Sequence, residues 1–225
     1  DDSVRRVAVT GAAGYVAAKL IQRLEHVESV ERVLAIDVRP PSRPYASKVA
    51  FERRDVTAPM ADLFSAHGVE AVGHLAFVLR PAHDRQAVRR VNVGGMANVL
   101  EACQGVGVRR FVYLGSATVY GARPDNPPLL TEESPLKPVK GFLYGEDKAE
   151  AEALLARFAQ AHPTLSTAVL RACPVLGPTA DNFIARAFSK PFLLGVSGYD
   201  PPMQFLHEDD LAGALVACLL GGASG

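Results

Sequence analysis

Short β-branched runs alternate with helix-period segments along this 225-residue chain, and no other feature narrows its possible folds as much. "RVAVT" (6–10) reads as a buried strand, followed over 15–26 by a helix that turns Val16, Leu20, Ile21 and Leu24 inward. "RVLAID" (32–37) predicts a second strand and the more polar "VAFERRDV" (49–56) a third. A short helix over 59–67 leads to a fourth strand, "AVGHLAF" (71–77). Val88, Val91, Val99 and Leu100 recur at helical spacing and predict a long helix over 84–104. "RRFVYLGS" (109–116) is a fifth strand, 145–162 is strongly helical, and "STAVLRACPV" (166–175) is a sixth strand. Strands separated by helices of this length form βαβ units, so the expected class is α/β: a doubly wound parallel sheet with helices on both faces. The proline-rich stretch 121–141 has no period, and a loop that long in a compact domain is functional or mobile.

The length suits one domain, or one domain with a small lobe. With 24 basic and 24 acidic residues the net charge is zero, so nucleic acid and anionic membranes are not expected partners. Cys103, Cys173 and Cys218 lie far apart in apolar surroundings and read as free thiols of a reducing, cytoplasmic protein. "DDSVRR" runs straight into the first strand with no visible signal peptide, and the apolar runs are too short to span a bilayer. The six histidines show no metal-ligand spacing, so no metal is expected.

"VAVTGAAGYVAAKL" (7–20) allows two readings, a plain strand–helix bend or a phosphate cradle. A strand ending at Thr10, a turn through Gly11, Ala13 and Gly14, and a helix beginning at Tyr15 and Val16 would aim backbone N–H groups from a helix N-terminus. Amides and helix dipole together favour a pyrophosphate there. Gly11 permits the tight turn and Gly14 the close approach, while Ala17 is small enough for helix–sheet packing. Asp37 favours the cradle, because it ends the second strand 20 residues beyond Ala17, where an acid meets the adenosine ribose 2′-hydroxyl. A carboxylate there repels a 2′-phosphate and so selects NAD. Arg39, two residues on, is placed to pair with that phosphate and keeps NADP open.

Tyr144 and Lys148 stand four residues apart, on one helical face. A neighbouring ammonium stabilises a phenolate; lowering a tyrosine from ~10 by about 3 units takes roughly 4 kcal/mol, and yields an acid/base for a hydroxyl proton. Ser116 ends the fifth strand, at the sheet edge where ligands bind, with Thr118 as a second hydroxyl two residues on. The expected catalytic set is Ser116, Tyr144 and Lys148, with Ser116 and Thr118 also touching substrate.

With these residues the chain resembles the extended short-chain dehydrogenase/reductase family, in its NAD-dependent epimerase/dehydratase group, and the fold implied is Rossmann-type. "TGAAGYVA" resembles the family's glycine turn, and "RDVT" its adenine-contacting segment, which implies Asp55 and Val56 as cofactor contacts. "HLAF" (74–77) implies Leu75 and Ala76, and "VNVGGMANVLEAC" a helix whose asparagine is Asn92. "GSATVYG" and "YGEDK" are similar to the catalytic segments, and "QFLHEDDLAGAL" to the late signature near the substrate lobe. Read from the residues themselves, His207 is a structural histidine, and Asp209 and Asp210 cap the start of a helix at 208–220. The resemblance implies hydride exchange with NAD, Tyr144 as acid/base, Ser116 polarising the reacting oxygen and Lys148 on the nicotinamide ribose. It implies a cofactor domain over 1–170, a partial substrate lobe over 171–225, and a homodimer through the helices at 84–104 and 145–162.

Two segments depart from the pattern of the family's sugar-nucleotide enzymes. Cys173 stands where an asparagine commonly meets the substrate diphosphate, and Met203 and Gln204 where an arginine does. An enzyme acting on a sugar or sugar nucleotide is therefore set beside a dehydrogenase or reductase of a small hydroxy/keto or steroid-like compound. A dinucleotide-sensing module without turnover is the reading from another class, and the intact Ser116–Tyr144–Lys148 set argues against it.

Overall fold

In the computed structural model, residues 3–79, 84–192, 195, 197–198 and 202–221 are described. Six strands form one sheet: β1 (Arg6–Thr10), β2 (Arg32–Asp37), β3 (Val49–Arg53), β4 (Ala71–His74), β5 (Arg110–Ser116) and β6 (Ser166–Ala172). Their order is β3-β2-β1-β4-β5-β6 and every pair is parallel, so the winding reverses between β1 and β4. This is the expected α/β Rossmann-type sheet. Both sheet faces are covered, which is why these strands read as continuous apolar runs. α2 (Ala61–His67), α4 (Gly95–Val106) and α5 (Leu143–Ala161) cover one face through Phe64, Met96, Leu100 and Leu155. α1 (Tyr15–Glu25) and α7 (Glu208–Leu220) cover the other through Leu20, Leu24, Leu211, Leu215 and Leu219.

Several boundaries move for physical reasons. The helix expected over 84–104 runs as α3 (Arg85–Arg89), a π-helical turn (Arg90–Gly94) and α4, with Asp84 capping its start. At Gly95, the first residue of α4, a Cβ would come within 2.6 Å of Val56 Cγ2. β4 stops at His74 rather than residue 77, because the chain then bonds back to Thr10: Leu75 N donates to the Thr10 carbonyl and Ala76 N to its hydroxyl. The sixth strand breaks at Cys173–Pro174, since proline has no N–H to continue a ladder. It resumes as β7 (Val175–Leu176), paired in parallel with β8 (Leu206–His207) in a separate small sheet. The short α6 (Phe183–Phe188), capped by Asn182, lies between these two strands in the chain.

Register aligns the chemistry. Thr10 pairs with Ile36 and His74, Asp37 with Arg53, and Ser116 with Ala172, so Thr10, Asp37, His74 and Ser116 share the carboxyl edge of the sheet. That edge, at the reversal between β1 and β4, is where open α/β sheets bind ligands.

Candidate active site

Gly11 lies at φ +72°, a left-handed conformation that L side chains rarely adopt. A Cβ there would sit 2.6 Å from the Ala76 nitrogen, so the glycine also lets the turn pack on the segment leaving β4. Gly14 N donates to the Gly11 carbonyl, and the first helical bond of α1 runs from Ala18 N to the Gly14 carbonyl. Gly14 is the N-cap, no side chain caps the helix, and its first turn carries no acid. The amides of Tyr15, Val16 and Ala17 therefore open from the end of α1, an arrangement that fits an anionic pyrophosphate.

Asp37 ties β2 to this turn. Its Oδ2 accepts from Ala13 N at 3.0 Å and its Oδ1 from Arg39 N at 2.9 Å, with the Arg39 guanidinium 3.7 Å away. A carboxylate has about four acceptor sites, so lone pairs remain for a ribose hydroxyl. Asp55 is turned into its own loop, accepting from Thr57 N and Oγ1 at 2.9 Å each, and Val56 is buried against Gly95. Asn98, which sequence reasoning passed over, donates to the Val56 and Ala58 carbonyls and holds that loop. Leu75 and Ala76 lie beside Gly11, as described. Asn92 sits in the π-helical turn, fully buried, with its amide engaged by Val78 and Asp147. It reaches the cofactor segment by holding the loop after β4.

At the end of β5, Ser116 Oγ accepts from Thr118 N and from Thr118 Oγ1, the latter at 2.9 Å. Its own proton is thereby free to point outward, and it interacts with the Tyr144 phenol. Thr118 spends its proton on Ser116 and so orients it. Tyr144 lies in the first turn of α5, and Gly145 beside it packs on the Thr118 carbonyl. Phe77 meets the Tyr144 ring edge-on at 5.4 Å and Phe142 meets it tilted at 5.9 Å. Lys148 is buried, and its Nζ donates to the Leu114 carbonyl at 2.6 Å. Burial pushes the ammonium down to about 7.

The expected effect of Lys148 on Tyr144 is not what this geometry produces. Burial raises the phenol above its ordinary value, the interaction with Ser116 lowers it, and Tyr15 raises it. The ammonium's bond goes to a backbone carbonyl, and the phenol keeps its proton.

Beyond the catalytic edge, Cys173 is half-buried just after β6, and burial raises its thiol, which stays protonated at neutral pH. Gln204 is exposed. Asn182 donates to the Val175 carbonyl and the Tyr15 hydroxyl and accepts from Ala185 N, tying α6 to the glycine turn. His207 caps α7 by accepting from Asp209 N. Asp209 does more than cap: it pairs with Lys19 at 2.7 Å, joining α7 to α1. Glu208, which spacing alone did not single out, is buried and accepts from Lys19, Thr179 N and Thr179 Oγ1. The described residues hold no cluster of three or more metal-ligating side chains.

The sheet order and the amide cradle define a Rossmann-type α/β protein with a dinucleotide cleft. The model of the NAD-dependent epimerase/dehydratase family matches residues 7–225, and the chain belongs to that family. Among its relatives is an uncharacterized protein of Mycobacterium tuberculosis, 28% identical over 226 residues, 97% of this chain and 60% of the relative. The 3beta-hydroxysteroid-dehydrogenase/decarboxylase isoform 1 of Arabidopsis thaliana is 28% identical over 86% of this chain and 48% of its own length. The structure of MoeE5 in complex with UDP-glucose and NAD matches with a TM-score of 0.80 at 28% identity, covering 95% of this chain and 71% of that one. The UDP-glucose 4-epimerase of Thermotoga maritima shares the fold with a TM-score of 0.80 at 23% identity, over 94% and 72% of the two chains. The chain thus spans about 60% of the length of the first of these relatives.

Proposed function

We propose that this chain is the NAD-binding, catalytic part of an oxidoreductase of the epimerase/dehydratase kind, working at a carbon that bears a hydroxyl or a carbonyl. The observation that carries the reading is the convergence of Ser116, Tyr144 and Lys148 on the sheet edge beside the uncapped start of α1. NAD bound there supplies a hydride acceptor, and NADH a donor. The amides of Tyr15 and Val16 hold the pyrophosphate, Asp37 accepts from the adenosine ribose, and Lys148 binds the nicotinamide ribose. Ser116 donates to the reacting oxygen. Tyr144, protonated in this geometry, gives its proton to a carbonyl oxygen in reduction. In oxidation the same group, as phenolate, takes the hydroxyl proton.

A sugar or sugar nucleotide is the first substrate reading, supported by the MoeE5 complex with UDP-glucose. Cys173 and Gln204, and the hydroxysteroid dehydrogenase relative, favour a second: a small hydroxy/keto or steroid-like compound. The purified protein should change NADH fluorescence at micromolar cofactor, and silence toward both NADH and NADPH would remove the reading. Tyr144→Phe should keep cofactor binding and lose turnover by 10²-fold or more. A nucleoside-diphosphate sugar that stabilises the NAD-loaded protein supports the first substrate class; NADH-dependent reduction of an alicyclic ketone supports the second.

A further inference from the structure

Among the described residues, no carboxylate pairs with the Lys148 ammonium. Of the nearby acids, Asp147 pairs with Arg89 at 2.8 Å and Asn92 Nδ2 at 3.0 Å, and Glu152 is engaged by Arg171. The ammonium has instead the Leu114 carbonyl and three ring faces: Phe77 at 3.8 Å, Tyr113 at 4.8 Å and Tyr144 at 5.9 Å from Nζ to centroid. Such an aromatic enclosure attracts a desolvated cation through the ring quadrupoles. Tyr113 and Tyr144 belong to the elements that already define the site. Phe77 is the nearest of the three and comes from elsewhere, the segment that leaves β4.

What holds that segment is a continuous polar line. Asn92 Oδ1 accepts from Val78 N at 2.7 Å, while its Nδ2 donates to the Val78 carbonyl and to Asp147. An ionised Asp147 can only accept, so it dictates which way the Asn92 amide points, and Arg89 compensates the buried charge. The line runs Arg89, Asp147, Asn92, Val78, and ends one residue from Phe77.

We propose that Phe77 is a positioning residue for Lys148: its ring face holds the ammonium charged and in place, and the Asp147–Asn92 clamp on Val78 fixes that ring. The proposal deepens the oxidoreductase reading, since it rests on Lys148 as that site's lysine. Phenylalanine suits the task because it excludes water without titrating. The other groups facing Lys148 are His74 from β4, Tyr113 from β5 and Tyr144 from α5. Burial holds His74 neutral down to about 3 and keeps Tyr113 and Tyr144 protonated.

The test follows the Lys148 ε-methylene by NMR in ¹³C-lysine protein, assigned by comparison with Lys148→Met. In the wild type these protons should be shifted upfield by the Phe77 ring current. Phe77→Leu keeps the site apolar but removes the quadrupole, and should lower the titration midpoint by about 0.5–1 pH unit, a three- to tenfold loss of proton affinity. Phe77→Tyr should restore both midpoint and shift. Asp147→Asn, which loosens the clamp and leaves the ring, should move both in the same direction by less, and serves if Phe77→Leu does not fold. A midpoint and chemical shift unchanged in either variant overturn the proposal. NADH binding measured on the same samples separates the two ideas: binding retained with an unmoved lysine sinks the proposal alone. A moved lysine without any NADH binding sinks the oxidoreductase reading and leaves the aromatic enclosure standing.

Discussion

Gly11 shows how much one residue decides. At φ +72° and with the Ala76 nitrogen 2.6 Å from any Cβ, it meets both a conformational and a steric demand. Gly11→Ala should cost about 2 kcal/mol or more from backbone strain plus displacement of the segment after β4. NADH affinity should fall at least tenfold, read by fluorescence titration, and an unchanged affinity would detach this turn from the cofactor. His74 makes a second, pH-dependent prediction. It is buried, shares a 2.8 Å hydrogen bond with the Thr10 hydroxyl, and burial pushes it down to about 3. The unfolded histidine takes a proton below about 6.5 and the folded one does not, so stability present above 6.5 is lost as pH falls toward 3. The slope from this group approaches about 1.4 kcal/mol per pH unit below 6.5. Lys148 drops out of that window: its folded value of about 7 lies below the usual lysine range, so its loss falls between about 10.4 and 7. Urea unfolding at pH 6.5 and 5.5 should show the slope, and His74→Asn should flatten it.

At the scale of elements, the proline-rich segment 121–141 is better described as an anchored wall than as a free lid. Arg171 on β6 donates to the Tyr120 hydroxyl and the Glu132 carbonyl at 2.7 Å each while paired with Glu152 of α5. Lys137 N donates to the Val119 carbonyl, and Gly121, at φ +72°, packs on the Lys137 carbonyl where a Cβ would not fit. Arg171→Met should release this wall, leaving a buried Glu152 without its partner. Expected results are faster proteolysis within 121–141 and a rise in KM for substrate of several-fold, with NADH affinity nearly unchanged. Equal loss of both would show that Arg171 supports the whole sheet edge instead. Elements were unevenly legible in the sequence. β1, β2, β5 and α1 announce themselves because local pattern and final burial agree. The π-helical turn does not, since Arg90–Gly94 owes its form to Asn92 reaching Val78 and Asp147, residues far away in the chain. The sixth strand was read straight through Pro174 to residue 175, whereas the ladder ends at Ala172 and β7 needed β8, some 30 residues on, to become a strand.

For the whole molecule, the two sides of the sheet bind the cleft to overall stability. α1 begins at the cradle and packs on α7, with Lys19 bridging to Glu208 and Asp209, so a ligand at the start of α1 is linked to the outer face of the fold. NAD at about 100 times its Kd should add about 2.7 kcal/mol, a rise of roughly 5–10 °C in Tm for a domain of this size. The absence of any shift with NAD or NADP would count against cofactor binding. No helix among the described residues is long and apolar enough to cross a membrane.

What the sequence determined by itself was the α/β class, the glycine turn, the acid at the end of β2 and the order Ser116, Tyr144, Lys148. Those features are local: periodicity, conformational demand at a glycine, and i, i+4 spacing each act within a few residues. Only the tertiary structure decided where the polar groups are spent. It turned Thr118 onto Ser116, Asp55 onto its own loop, Asn92 onto Val78 and Asp147, and Lys148 onto Leu114 and the ring of Phe77. A buried donor or acceptor must be satisfied by whatever lies nearest in space, and spatial neighbours 14 to 55 residues apart, as around Asn92, leave no periodic trace in the chain.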